Sequence, residues 1–350
     1  MMDRLISKVF GLFAVSSLLF FTTSPVIQAA SRAKYAGEFM AIGVGGRALG
    51  LGGAYTALAN DVTAGYWNPA GLARLTYPQV TLMHDERFAG LINYDYGAAA
   101  MPMGANASLA VSAIRLGVDN IANTQNAGVD ANGNPLPPGQ LENFDHIDPS
   151  KVTYFNASDW ALYVSYAKKA GDKFSYGANL KLIRRDLDVA SATGIGFDVG
   201  AQYMATDKLA LGANFQDVTT TLVAWSNGTN ELISPTLKLG TAYFIDAWGG
   251  QFAPAFDMDL RFEGRETASN AHIGGVSADF HGGLEYNIQG LAAVRLGRSD
   301  LGTLNVGTGI HLPKFDIDYS FARFANDLGD THRISLTFTL QADQFARKTE

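Results

Sequence analysis

From Tyr77 onward apolar and polar residues take turns almost without a break, so whatever this chain folds into must be built of strands with two unlike faces. Asp316, Asp318 and Ser320 alternate with Phe315, Ile317, Tyr319 and Phe321. Ala253, Ala255, Asp257, Asp259 and Arg261 alternate with Phe252, Pro254, Phe256, Met258, Leu260 and Phe262. His281, Gly283, Glu285 and Asn287 alternate with Phe280, Gly282, Leu284, Tyr286 and Ile288. A soluble sandwich shows this pattern too. Two features turn the reading toward a membrane barrel. The runs are mostly ten residues or more, where ordinary strands hold about 5–6. One face is heavy in Phe, Tyr and Leu, whereas the other is Gly, Ser, Asn and Asp, too polar for a dry core but suited to a wet or plugged lumen.

The connections supply a third argument. Fourteen strands are expected, near residues 77–88, 91–103, 106–117, 157–169, 172–186, 193–205, 208–219, 234–246, 251–263, 278–288, 290–299, 302–312, 314–325 and 331–341. The turns at Gly104-Ala105, Gly171-Asp172, Thr206-Asp207, Gly249-Gly250, Gln289-Gly290 and Pro313-Lys314 are tight. They alternate with longer stretches at 118–156, 187–192, 220–233, 264–277 and 326–330, with 89–90 and 300–301 as short exceptions. Short turns on one rim and longer loops on the other are the pattern of outer-membrane barrels. An even strand number leaves both chain ends on the short-turn side, and closure removes the exposed edges that an open sheet would present. Within 118–156, the run Asp130 to Pro135 and the group Pro137-Pro138-Gly139 are turn chemistry. The glycine falls in the wrong place for a calcium-binding EF-hand, so this reads as a surface loop.

Composition narrows the function classes. Only 17% of residues are charged, against about 25% in average soluble domains, and 38 are glycine. An aromatic content of 11% excludes a disordered chain. A single long apolar run excludes a helical membrane bundle. A net charge of −7 with no basic block argues against nucleic acid as a partner. With no cysteine there is no disulfide framework, no thiolate metal site and no cysteine nucleophile.

Residues 1–30 read as a secretory signal peptide: Arg4 and Lys8, the apolar stretch Val9 to Phe21, the helix-breaking Pro25, and Ala29-Ala30 at the cleavage point. The stretch is shorter than the roughly 20 residues of a spanning helix, so a retained anchor is the weaker alternative. The expected order is then a hatch segment at 31–76, a barrel at 77–341 and a tail at 342–350.

Residues 37–75 do not alternate, and Gly43, Gly45, Gly46, Gly50, Gly52 and Gly53 crowd into them. A dinucleotide-binding loop would need a strand before it and a strand–helix–strand unit around it, and neither is present. Packing is the better explanation, with Gly45, Gly46, Gly50, Gly52 and Gly53 letting the segment press against a barrel wall. Leu51, Tyr55 and Leu58 fall on one face of a helix. Asn60-Asp61 turns the chain, Asn68 is placed to cap a short helix, and Pro69 suits its first position. A compact, partly helical plug is expected.

The stretch GGRALGLGGAYTALANDVTAGYWNPAGLARL, residues 45–75, resembles the N-terminal signature of the PorV/PorQ family. That family lies within the wider FadL-like outer-membrane barrels, which share the element Asn68-Pro69-Ala70. Leu328 to Leu340, LGDTHRISLTFTL, resembles the end of a PorV/PorQ barrel. Asn60 stands where the family often has an acid, and the chain continues past the last strand as Gln341 to Glu350, so no terminal aromatic closes the barrel. The resemblance implies a fourteen-stranded barrel in the outer membrane of a Gram-negative-type bacterium, in contact with outer-membrane lipid. Inside it sits an N-terminal hatch, with Asn68, Pro69, Ala70 and Gly71 as its determinants. Two non-enzymatic roles follow from the resemblance. PorV-type members serve type IX secretion, holding exported proteins at the outer membrane, with secreted proteins or other barrels as partners. FadL-like members take up hydrophobic molecules past a gating hatch. The closeness of the match over 43–72 ranks the first role higher. The lumen strips of Gly, Ser, Asn and Asp, unwelcoming to a lipid tail, rank uptake of a hydrophobic ligand second. A purely structural barrel is the third reading.

No catalytic set emerges. The six histidines, His84, His146, His272, His281, His311 and His332, are not at metal-ligand spacing. Asp257/Asp259 and Asp316/Asp318 face inward and read as lumen charge balanced by Arg261, Arg295 and Arg323 rather than as a metal site. No Gly-x-Ser-x-Gly elbow and no cofactor motif is present. Trp160 and Trp248 lie near expected strand ends, where aromatic residues anchor a barrel. Trp225 with Leu222, Val223 and Leu232 is expected as an apolar patch on an external loop.

Overall fold

The chain divides into Met1–Tyr35 and Ala36–Glu350. The computed structural model describes residues 37–348 apart from 89, 139–143, 266–268 and 324–329, so the expected signal peptide lies outside the described residues. Long alternating runs pair with their neighbours in sequence as a meander of fourteen antiparallel strands. They are β1 (Gln79–Arg87), β2 (Ile92–Met103), β3 (Ala107–Asn123), β4 (Thr153–Lys169), β5 (Phe174–Leu187) and β6 (Ala190–Met204). Next come β7, in two runs (Leu209–Gln216 and Thr221–Trp225), and β8, in three (Asn230–Ile233, Thr236–Tyr243 and Ile245–Ala247). The rest are β9 (Gly250–Arg261), β10 (Val276–Ile288), β11 (Ala292–Arg298), β12 (Leu304–Leu312), β13 (Phe315–Arg323) and β14 (Asp330–Thr339). β14 pairs back onto β1, from Gln79 opposite Thr339 to Glu86 opposite His332, and this closes the barrel.

The two faces separate as the alternation requires. Leu82, Val111, Leu162, Val164, Phe256, Val294, Ile310 and Ile334 point outward and are exposed, because lipid takes the place of a protein partner. Their inward neighbours are buried. At the short-turn rim, Trp248 stands over Phe252, whose ring stacks on Tyr286 with centroids 4.2 Å apart, and the Tyr286 hydroxyl donates to the Trp248 carbonyl. Trp160 faces outward within β4, inside the strand rather than at its end. No helix among the described residues is long and apolar enough to cross a membrane.

The differences from the sequence reading lie at the long-loop rim. β3 and β4 continue to Asn123 and from Thr153, through what reads as loop. β5 and β6 meet directly at residues 188–189, and Thr221–Trp225 pairs with Asn230–Ile233 as a hairpin extension. There a register shift between Val118 and Ile121 and positive φ at Asn120, Asp217 and Thr220 interrupt the alternation that marks a strand. That extension also splits the expected Trp225 patch. Val223 is fully buried and Trp225 packs on the core, while Leu222 and Leu232 are exposed.

Inside the barrel, residues 37–75 form α1 (Glu38–Ala41), α2 (Gly46–Gly50), α3 (Ala64–Trp67) and a 3-10 helix (Pro69–Arg74), joined by turns. The helix expected through Leu51, Tyr55 and Leu58 does not form. Gly52 and Gly53 have φ of +65° and +87°, which ends α2 and turns the chain. All three side chains are nevertheless buried, reached by turns instead of by helical spacing.

Candidate functional site

The segment 43–75 is seated on the wall backbone to backbone. Wall glycines at inward positions form the seat: Gly177 on β5, Gly200 on β6, Gly212 on β7, Gly240 on β8, Gly283 on β10, Gly297 on β11 and Gly307 on β12. A Cβ at Gly177 would stand 2.6 Å from the Pro69 carbonyl carbon, and one at Gly283 would stand 2.7 Å from the Leu51 oxygen. At Gly297 and Gly212 it would run into the backbone of Leu51 and Thr56. The plug answers with small residues of its own. A Cβ at Gly46 would lie 2.7 Å from the Asp318 oxygen, one at Gly50 3.1 Å from the Gly307 Cα, and one at Gly52 2.6 Å from the Arg298 backbone. Gly45 instead faces Thr63 within the plug, and Gly53 faces His281.

So close an approach leaves no room for water, and the plug's backbone groups are satisfied by wall side chains. Asp257 accepts from the amides of Tyr55 and Thr56 at 3.0 and 2.8 Å. Gln202 donates to Ala59 O at 2.8 Å, Asn214 to Trp67 O at 3.0 Å and Asn179 to Gly65 O at 2.8 Å. The Gly46 amide donates to Ser335 Oγ at 2.7 Å, and His281 Nδ1 stands 2.9 Å from the Gly52 oxygen. Asn68, fully buried, does three things. Its Oδ1 accepts from the Ala70 amide and caps the 3-10 helix that opens with Pro69. Its Nδ2 donates to Thr56 O at 2.9 Å and to Ala201 O on β6 at 3.1 Å. Gly71 lies against the Ala59 carbonyl so tightly that a side chain has no place there, and Ala70 is fully buried.

The charges that meet the plug collect on the C-terminal strands. Arg47 of α2 makes a two-pronged contact with Glu285 on β10, both bonds 2.9 Å, and also donates to Tyr55 and Asn60. Arg295 on β11 joins Glu285 and Asp318, both at 2.6 Å. Asp259 pairs with Lys238 and lies 3.4 Å from His281, while Arg261 faces Asp279 at 3.3 Å. Asp85 and Arg333 pair at 2.9 Å across the β1–β14 seam. Asp316 is half-buried beside His311, and Arg323 is exposed beside Asp330, outside this network. Asp257, Asp259 and Asp318 thus fall within the buried set and Arg261 is partly buried beside it, with Asp257 serving the plug backbone. Arg47, Glu285, Gln202 and Asn214 were not singled out by sequence, since a polar inward residue shows its face but not its partner.

The wall at β2–β4 is different, and here the expectation of lumen strips mainly of Gly, Ser, Asn and Asp is corrected. Tyr94 and Tyr96 on β2, Ile114 on β3 and Tyr163 on β4 are buried in one apolar cluster with Tyr66, Trp67 and Leu72 of the plug. The Tyr66 and Tyr163 rings meet edge to face at 6.2 Å. Burial pushes the Tyr66 phenol up from its ordinary value, and its hydroxyl donates to Met40 O. Toward the short-turn rim this wall narrows to Ala98, Ala100, Ala110 and Ala167, with Ser108, Ser112 and Ser165 between them. The inward faces of β2 and β3 carry no charge, but it returns beyond them: Asp159 on β4 pairs with Arg185 on β5 at 2.8 Å, and Lys181 on β5 pairs with Asp198 and Asp217 at 2.8 and 2.6 Å.

A closed fourteen-stranded antiparallel barrel filled by its own N-terminal segment defines the class: a FadL-type outer-membrane barrel fold. Solved structures with this fold include the toluene transporter TodX of P. putida, 11% identical, covering 86% of this chain and 99% of that one, with a TM-score of 0.57. The toluene transporter TbuX of Ralstonia pickettii is 14% identical, covers 85% and 98%, and has a TM-score of 0.52. A FadL homologue of Pseudomonas aeruginosa is 12% identical, covers 84% and 98%, and has a TM-score of 0.52. A family model described as an uncharacterised protein family (UPF0164) matches residues 21–98, the plug and the first two strands. No curated protein matches the sequence.

Proposed function

We propose that this barrel admits small hydrophobic molecules across the outer membrane of a Gram-negative-type bacterium, along the lane between the plug and β2–β4. The observation that carries this reading is the division of the lumen. The plug is tied to the C-terminal strands by the Arg47–Glu285 ion pair and buried hydrogen bonds, whereas against β2–β4 it rests largely on aromatic and aliphatic side chains. An apolar solute is compatible with the second surface and not with the first. The fold shared with two toluene transporters supports the same choice. Asn68, Pro69, Ala70 and Gly71 act as gating determinants, because they hold the plug's last turn against β5 and β6. The plug glycines that meet the wall backbone, Gly46, Gly50 and Gly52, set how closely the plug closes.

The secretion reading rests on the resemblance of residues 43–72 to PorV/PorQ members. Most of those residues are buried in the seat, so the motif is accounted for by plug packing. The test is uptake in an outer-membrane host lacking hydrophobic-solute barrels of its own. Expression of the protein should raise entry of 1-N-phenylnaphthylamine, read by its fluorescence on reaching phospholipid, about fivefold or more. An unchanged rate with the folded barrel in place, together with export-type proteins recovered by crosslinking, would overturn uptake in favour of secretion.

A further inference from the structure

The tail that follows β14 does not hang free. The Leu340 amide donates to Pro78 O at 2.9 Å, a 3-10 turn follows at Asp343–Phe345, and the chain then passes beneath the end of the plug. There the Arg347 amide donates to Thr76 O at 2.7 Å. Its guanidinium fills nearly its whole donor set: Nε to Leu75 O at 2.7 Å, Nη1 to Ala105 O at 3.2 Å and Ala107 O at 2.8 Å, and Nη2 to Ser108 Oγ at 2.7 Å. Leu75 is the buried end of the plug, Ala105 lies in the β2–β3 turn, Ala107 opens β3, and Ser108 faces inward with no exposure. One side chain therefore joins plug, wall and tail at a single place. That place is the lower end of the lane, below Ala100 and Ala110.

We propose that residues 341–348 form a strap across the inner mouth and that Arg347 is the clasp that closes the lane between plug and β2–β4. The proposal rests on the uptake reading for what the lane carries, but not for the closure itself. The acceptors support a clasp that opens. All are carbonyls or a hydroxyl, with no carboxylate, so the charge is held by neutral dipoles instead of by an ion pair. A guanidinium also stays charged at any physiological pH, so closure does not depend on protonation. A lysine reaches one or two of these acceptors and lacks the planar fork that meets them together.

The test uses the full-length protein, with Arg347→Ala, Arg347→Lys and a chain ending at Gln341. Each is checked for a folded barrel by its heat-dependent shift on gels, then read by planar-bilayer conductance and by uptake of 1-N-phenylnaphthylamine. Arg347→Ala and the shortened chain should raise both signals about fivefold, with Arg347→Lys between them and the parent. A rise in conductance alone supports the strap and overturns the uptake reading. Parental conductance and parental probe uptake in both folded variants overturn the strap while leaving uptake standing. Loss of folding in the shortened chain leaves Arg347→Ala and Arg347→Lys to decide, since neither alters β14.

Discussion

Asn68 combines a cap, a tie within the plug and a tie to the wall, all from one buried amide. Replacing it with alanine leaves the Ala70 amide without its acceptor and takes a donor from the Ala201 and Thr56 carbonyls, of which Thr56 keeps Gln202 at 3.2 Å. We expect Asn68→Ala to cost about 2–4 kcal/mol of stability, from the usual penalty for buried groups left unsatisfied. Pro69→Ala removes the rigidity of the first helical position and the ring atoms packed near Gly200 but strands no polar group, and should cost about 1–2 kcal/mol. Urea unfolding of the folded barrel in lipid gives the order, and leak conductance should rise in the same order. Equal effects would refute the ranking. The cap was readable because Asn-Pro before a short apolar run is a local signal. The clamp of Arg47 on Glu285 was not, because 238 residues separate the partners and only barrel closure brings them together. Asn60 illustrates the same point: it accepts from Arg47, a contact that the sequence alone does not show.

At the scale of elements, strands were legible where lipid makes one face apolar and illegible where the alternation is interrupted. The turns between β3 and β4 and between β7 and β8 were expected too early for this reason. The plug was legible as a non-alternating, glycine-rich insert, but its internal form was not. Gly52 and Gly53 turn the chain through positive φ where spacing alone argued for a helix. What the strands contribute to the plug is also positional. Gly297 receives the plug's backbone at an inward position of β11, whereas Gly282 on β10 faces outward, and a Cβ there would meet nothing within 4 Å. Gly297→Val should therefore lift α2 and its flanking turn off the wall, at about 1–3 kcal/mol for an overpacked contact, and raise leak conductance. Gly282→Val should change neither stability nor conductance. Equal behaviour of the two variants would mean that the glycine seat does not hold the plug.

For the whole molecule, strand number and closure followed from the alternation of short and long connections, because a meander of even strand number has one consistent closed solution. The unequal halves of the lumen did not follow, because many inward residues of β2–β4, Tyr94, Tyr96, Tyr163 and the alanines among them, resemble outward ones in composition. That asymmetry predicts which way the plug moves. Ionic and hydrogen-bonded ties to the C-terminal strands act as the fixed side, and the packed face toward β2–β4 as the side that parts. A Cβ at Gly65 would stand 3.2 Å from Ser165 Oγ, a separation suited to a disulfide, and the chain has no cysteine to interfere. The double variant Gly65→Cys/Ser165→Cys should fold in reducing conditions with parental uptake of 1-N-phenylnaphthylamine. Oxidation should then lower uptake by about fivefold or more, and dithiothreitol should restore it. If the oxidised barrel, with the disulfide confirmed by mass spectrometry, takes up the probe at the reduced rate, the plug does not part from β4 and the lane lies elsewhere.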